Sequence, residues 1–261
     1  MSIKKRVESL VSGPLFQSAW ESLFKLARHR MNYGRGGTVR GSGEIRLLSF
    51  IAERLLLDDP VTVFDVGACV GEYAGYVRSI MKDRAIIYCF EPNKISFSAL
   101  SEAFEEDKRV HCFCCGIGDQ ETETILYSKI DNPFHASMYQ GNAVNEQSIS
   151  VTTIDRFCKS NDIDRIDLLK MDIEGHELKA LLGASSMLNA GKVRFIQFEF
   201  GDCNVNSRTF FRDFFDLLSP SYLIYRILHH GLYPIEHYDE AHEVFKVTNY
   251  LAILKTISKQ Q

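Results

Sequence analysis

The 261-residue sequence contains no uninterrupted apolar run near the roughly 20 residues that cross a bilayer, so no membrane-spanning helix is expected. Nor is there an excess of positive charge: 30 Lys plus Arg stand against 34 Asp plus Glu, a formal net charge of −4. Nucleic acid, which favours a concentrated basic face, is therefore not an expected partner. The basic N-terminus, MSIKKRVESLVSGPLF, lacks the apolar core and small-residue cleavage site of a signal peptide. Seven cysteines leave no complete pairing, and Cys89, Cys112, Cys114 and Cys115 sit inside apolar runs. That usage argues against a secreted disulfide framework and for reduced thiols in a cytoplasmic setting. A zinc site on Cys112, Cys114 and Cys115 finds no support, because successive strand residues face opposite ways and no second Cys/His pair has ligand spacing.

What the chain does have is 45% hydrophobic and 25% charged residues, the balance of a globular protein. Its length suits one large α/β domain with decorations. Residues 1–43 read as an N-terminal helical extension with a connection, and 44–261 as the main domain. In the extension, Ile3, Val7, Leu10 and Val11 fall at helical spacing. Phe16, Ala19, Trp20, Leu23, Phe24 and Ala27 mark a second amphipathic stretch. We expect it to pack on the main domain or on a second copy in a homo-oligomer. The alternative is a membrane-surface helix, since Lys4, Lys5, Arg6, Lys25, Arg28 and Arg30 flank it. Asn32 to Gly43, with five glycines, reads as a flexible connection.

From Glu44 onward, helix-like and strand-like segments alternate. A helix starting at Glu44 precedes a strand from Thr62, a helix over 72–82, and the strand AIIYCFEP, stopped by Pro92. A helix from Ile95 and the strand RVHCFCCGIGD follow, then ETILYSKI and an irregular polar segment to about residue 147. SISVTTIDRFC passes from strand to helix; IDLLKMDIEG, HELKALLGASSML, KVRFIQFEFG and TFFRDFFDLL continue the alternation. LIYRIL turns at His230-Gly231 into LYPIEHY, and NYLAILK closes the series. This order predicts βαβ units: an α/β, doubly wound, mostly parallel sheet with an antiparallel C-terminal hairpin edge.

Ligands of such sheets bind beyond the carboxyl ends of the strands. The first strand ends in Phe64-Asp65-Val66-Gly67-Ala68-Cys69-Val70-Gly71, where Gly67 and Gly71 allow a tight turn close to a ligand. The second ends in Glu91-Pro92, about two dozen residues on, near the separation at which a strand-end carboxylate accepts ribose hydroxyls. Together they imply an adenosine-containing ligand. The G-x-G-x-x-G fingerprint of dinucleotide sites is missing; Asp65 stands where its first glycine would be. A carboxylate there repels a pyrophosphate and suits a cationic amino-acid moiety, favouring S-adenosylmethionine over a nicotinamide dinucleotide.

FDVGACVGEY, CFEPN, GIGDQE and above all LLKMDIEGHELKALLGA resemble the FkbM-type methyltransferases, a branch of the class I S-adenosylmethionine-dependent enzymes with a Rossmann-like fold. The resemblance runs from about Glu44 to Leu254. It implies that Asp65, Gly67, Ala68 and Gly71 line the methionine part of the cofactor, that Glu91 and Pro92 hold the ribose, and that Asp119 lies near the adenine. Cys69 departs from the asparagine usual in the family's glycine loop.

The fourth strand runs out into Asp172-Ile173-Glu174-Gly175-His176-Glu177, a dense titratable group expected to sit over the sulfonium, with Asp172 also touching the cofactor. Asp172, Glu174 and His176 are the candidate catalytic residues, since an acceptor hydroxyl must lose its proton. His176 is equally readable as a helix-start residue holding the loop, and Glu177 as first-turn helix charge. His135, Ser137 and Glu199 are candidate substrate contacts. No metal is expected; the alternative is Mg²⁺ on Asp172, Glu199 and Asp202. The expected activity is methylation, on the family's pattern O-methylation, of a carbohydrate or other small hydroxylated acceptor. The alternatives are a nicotinamide-dependent oxidoreductase and a catalytically silent, cofactor-binding adapter.

Overall fold

In the computed structural model, which describes residues 11–37, 39–58, 60–128 and 136–258, the alternation becomes an eight-stranded sheet. Its strands are β1 (Val61–Val66), β2 (Ala85–Phe90), β3 (Val110–Phe113), β8 (Ile166–Met171), β9 (Val193–Phe200), β10 (Tyr222–Leu228), β11 (Gly231–Ile235) and β12 (Thr248–Leu254). They lie in the order β11-β10-β12-β9-β8-β1-β2-β3. The run β9-β8-β1-β2-β3 is parallel throughout. β10 and β11 form the antiparallel hairpin at one edge, and β12 inserts antiparallel between β9 and β10. That insertion was not legible, because chain order does not state which neighbours a last strand will join.

The parallel strands are buried on both faces, which is why they read as nearly continuous apolar runs. One face carries Val61, Val63, Ile87, Leu168 and Phe195. They pack on the apolar sides of α2 (Glu44–Arg54), α3 (Glu72–Met81) and α4 (Lys94–Ala103). The other face carries Phe64, Val66, Phe90, Leu169, Met171 and Phe198. Its cover is α5 (Ile154–Ser160), α6 (Glu177–Leu182), α7 (Ser185–Asn189) and α9 (Phe211–Leu218); the short α8 (Cys203–Ser207) follows β9. The single helix expected over HELKALLGASSML is thus two. It breaks at Gly183, where a Cβ would lie 2.0 Å from the Gly118 carbonyl oxygen.

RVHCFCCGIGD also divides. After β3, β4 (Gly116–Ile117) leaves for a second sheet of order β4-β7-β5-β6, with β5 (Thr122–Ser128), β6 (Ala136–Ser137) and β7 (Asn145–Thr152). Leu126, Ile149 and Val151 form its own small core with Ala136 and Met138. Gln147 joins it to the end of β2: its Nε2 donates to the Pro92 carbonyl at 2.7 Å.

For the N-terminal segment, one of the two expected placements of the helix, on the main domain, is corrected, and so is the flexible connection. Helix α1 (Pro14–Arg30) buries none of its residues, and Leu15, Phe16, Trp20, Leu23, Phe24 and Leu26 are all exposed, so the apolar stripe does not pack on the main domain. The glycine-rich connection is docked where it is described. The amides of Gly34 and Gly36 donate to the Val247 carbonyl, each at 3.1 Å. Asn32 is buried and donates to the Ile227 carbonyl, and Gly43 approaches the Leu228 carbonyl too closely for any side chain. Glycine serves close backbone contact here. Among the described residues no helix is long and apolar enough to cross a membrane.

Candidate active site

The sheet register builds the site row by row. Asp65 of β1, Lys170 of β8 and Gln197 of β9 lie side by side, all on the face that carries α2 and α3. All three are buried, as is Glu44 at the start of α2. Lys170 Nζ lies 3.2 Å from Asp65 and 3.7 Å from Asp172, donates to the Gly67 carbonyl at 3.3 Å, and sits over the Tyr73 ring. Burial alone would lower the lysine's pKa; Asp65, Asp172 and Glu44 outweigh it and push the pKa up, so the ammonium stays charged. Tyr73 donates to Gln197 Oε1 at 3.0 Å, Gln197 donates to Glu44, and Ser42 donates to the same carboxyl at 2.6 Å.

One residue further along, the strands release their functional ends. Gly67, at φ +78°, turns away from β1 against β8: a Cβ there would lie 1.9 Å from the Asp172 carbonyl oxygen. Its amide and that of Ala68 donate to the Phe90 carbonyl, and the Asp172 amide donates to the Val66 carbonyl at 3.0 Å. Glu91, buried at the end of β2, accepts from the Cys69 amide at 2.9 Å and the Asn93 amide at 2.7 Å, one on each oxygen. Burial raises its pKa, and those amides pull it back.

Cys69 has φ +50°, a left-handed conformation that asparagine tolerates better than cysteine. Cys69→Asn is expected to raise the thermal midpoint by a few degrees, about 0.5–1 kcal/mol. A fall in a thermal melt would contradict that strain.

Beyond β8, the Glu177 carboxyl accepts from the Ile173 amide at 2.8 Å and the Gly175 amide at 3.0 Å, knitting the loop from Asp172 to Gly175. Burial lifts its pKa to about 7 against those hydrogen bonds. Since the folded value exceeds the ordinary 4.5, this contribution to stability is complete below pH 4.5 and is lost as pH rises to about 7. Urea unfolding of Glu177→Gln should therefore show a flatter decline over that window, by up to about 3 kcal/mol. An unchanged slope would assign the titration to other groups.

These ends enclose two joined spaces. The smaller, about 130 Å³, is lined by Val66, Phe90, Ile117, Leu126 and Met138, with Glu91 and Pro92 on one side and Asp172 and Glu174 on another. The second sheet, which sequence reasoning missed, thus supplies much of its apolar wall. The larger, about 650 Å³, holds Glu44, Ala68, Ser137, Tyr139, Lys170, Glu199 and Asp202. Gly67, Cys69, Ala136, Asp172 and Glu174 border both. Glu174 has φ +53°; its carboxylate accepts from Cys203 Sγ and its carbonyl from Ser137 Oγ at 2.9 Å.

Among the expected site residues, Gly67, Ala68, Glu91, Pro92, Ser137, Asp172, Glu174 and Glu199 line this cleft. Four do not. Asp65 is sealed beneath the glycine loop beside Lys170, because an inward position in a central strand faces α2 and α3 rather than the sheet rim. Gly71 packs on Leu100 and Phe104 of the α4 region. Asp119 pairs with Lys179 at 2.6 Å outside the cleft. His176 precedes α6 with Nδ1 3.2 Å from the Tyr139 hydroxyl, and burial lowers its pKa to about 4, leaving a neutral ring that holds the loop. His135 lies outside the described residues. Among the described residues no three His, Cys, Asp or Glu side chains converge as ligands in the arrangement the structure shows.

An apolar slot walled by a carboxylate lies at the parallel strand ends, and the sheet order and helical cover define a Rossmann-like, doubly wound protein. The profile of the methyltransferase FkbM domain matches residues 65–227, and the chain belongs to that family. Among known proteins it is similar to the hexuronic acid methyltransferase AglP of Haloferax volcanii, with 26% identity over 161 residues covering 57% of this chain and 59% of AglP. It is also similar to the 2-O-methyltransferase NoeI of Sinorhizobium fredii, 25% identical over 198 residues, covering 70% of this chain and 80% of NoeI. A methyltransferase FkbM structure from Methylobacillus flagellatus aligns with a TM-score of 0.48 and 22% identity, covering 75% of this chain and 44% of that one. The chain therefore spans less than two thirds of AglP and of the Methylobacillus protein.

Proposed function

We propose that the protein is an S-adenosylmethionine-dependent methyltransferase acting on a hydroxyl of a carbohydrate or another small hydroxylated molecule. The observation that carries this reading is the shared rim. Glu91 stands in the wall of an apolar space, and Asp172 borders both that space and the larger chamber beside it. The names of the two similar proteins, a hexuronic acid methyltransferase and a 2-O-methyltransferase, support the choice of acceptor class.

Bound S-adenosylmethionine would supply an electrophilic methyl group. Glu91, held by two backbone amides, keeps lone pairs for ribose hydroxyls. Val66, Phe90, Ile117, Leu126 and Met138 exclude water from the base. Asp172 accepts the proton of the acceptor hydroxyl as its oxygen becomes nucleophilic. Lys170 and Glu177 are positioning residues: one sits beside the Asp172 carboxylate, the other ties down the loop that follows it. Much of the rate comes from holding the acceptor oxygen in line, which a pre-built rim provides.

Calorimetric titration with S-adenosylmethionine, S-adenosylhomocysteine and NAD tests this. The first two bind and the third does not; the reverse would establish the oxidoreductase alternative. Glu91→Ala should weaken S-adenosylhomocysteine binding by about 1–3 kcal/mol. Unchanged affinity would remove the ribose assignment.

A further inference from the structure

The larger chamber has a pronounced charge imbalance. Among the described residues lining it are six carboxyl groups, from Glu44, Glu72, Asp172, Glu174, Glu199 and Asp202, and one cationic side chain, Lys170. That lysine is already engaged, since it pairs with both Asp65 and Asp172 and donates to the Gly67 carbonyl. The remaining polar lining is uncharged and includes three tyrosines, Ser128, Ser137, Gln140, Asn142 and Asn206.

Glu199 adds a second observation. Only 8% exposed, it faces the chamber, and no hydrogen bond or ion pair to its carboxyl is found among the described residues. Burial raises its pKa well above the ordinary carboxylate value, and Asp172, Glu174, Glu177 and Glu44 raise it further. A carboxyl with no partner of its own keeps its lone pairs for the hydroxyls of a ligand. Among the described residues, a carboxylate, phosphate or sulfate brought here would gain no free cation and would face several acidic neighbours at low effective dielectric.

Resting on the methyltransferase reading, we infer that this chamber takes a polyhydroxylated acceptor that carries no anionic group, with Glu199 among the residues that grip its hydroxyls. An acidic sugar such as a free hexuronate is thereby rejected. Of the two acceptor chemistries attached to the similar proteins, the chamber fits the hydroxyl and not the free acid.

The experiment uses the full chain and S-adenosylmethionine with matched pairs of methyl glycosides: glucoside with glucuronide, galactoside with galacturonide, and the corresponding 2-amino sugars. Equimolar mixtures are compared by mass spectrometry for gain of one methylene. Neutral or amino members should be methylated at least about tenfold faster than their uronates. Equal or faster methylation of the uronates overturns the inference and leaves methyl transfer standing. No methylation of any member, with S-adenosylhomocysteine still bound, overturns the carbohydrate reading on which the inference rests.

A second arm tests the electrostatic basis. Asp202→Asn combined with Glu72→Gln removes two charges from the chamber wall and should shift the ratio at least about threefold toward the uronate. A ratio unmoved in a variant that folds and still methylates neutral sugars would show that charge is not what selects. Glu199→Gln, which keeps an acceptor oxygen at the same place, should retain more neutral-sugar activity than Glu199→Ala. If the two fall alike, Glu199 does not grip the acceptor.

Discussion

Lys170→Met is expected to lower folding stability by about 3–5 kcal/mol, the largest single effect foreseen away from the apolar core. The ammonium is buried between Asp65, which no solvent reaches, and Asp172, and it also holds the Gly67 carbonyl. Methionine fills similar volume, so little of the loss would come from a cavity. The loss comes from a carboxylate left in a low-dielectric interior without its partner. Urea unfolding gives a direct reading. The same logic predicts that Asp65→Asn added to Lys170→Met restores a large part of the loss, because both charges are then gone. If the double variant is no more stable than the single one, the pair is not what the lysine is there to balance.

The second large effect is on turnover. Asp172→Asn should reduce kcat by about 10²–10⁴-fold while S-adenosylhomocysteine affinity changes only a few-fold. The side chain is nearly isosteric, the backbone amide that fixes the residue to Val66 is untouched, and Lys170 still has Asp65. What disappears is the ability to take a proton from the acceptor. A variant with wild-type kcat would remove Asp172 from the reaction centre; a variant that loses cofactor binding in proportion would recast it as a binding residue.

Most of the sheet was legible because its strands are buried on both faces and leave nearly continuous apolar runs such as AIIYCF. The glycine at residue 67 and the carboxylate at residue 91 were legible for a related reason. A turn at φ +78° and a strand-end acid each leave a residue-type signature. What escaped was pairing across the sheet. Asp65 belongs to Lys170 through strand register, and nothing within Asp65's own segment states which strand will lie beside it. The signal was in the partner: a lysine inside LLKMD, amid fully buried neighbours, requires a counter-charge.

For His176 the sequence left two readings open, base and helix-start residue, and for Glu177 it offered only first-turn helix charge. Titratability in water suggested the histidine, but burial neutralises it, while the glutamate reaches back to the loop amides. The apolar wall of the nucleoside space was also hidden. Leu126 and Met138 come from a sheet whose short strands, interrupted by polar residues, carry too little periodicity to announce themselves.

The most direct measurement is a crystal structure of the full chain grown with S-adenosylhomocysteine. The account predicts the ribose hydroxyls within hydrogen-bond distance of the Glu91 oxygens, the base among Ile117, Leu126 and Met138, and the sulfur facing the rim at Asp172. A nucleoside bound elsewhere, or one whose sugar leaves Glu91 untouched, would contradict it.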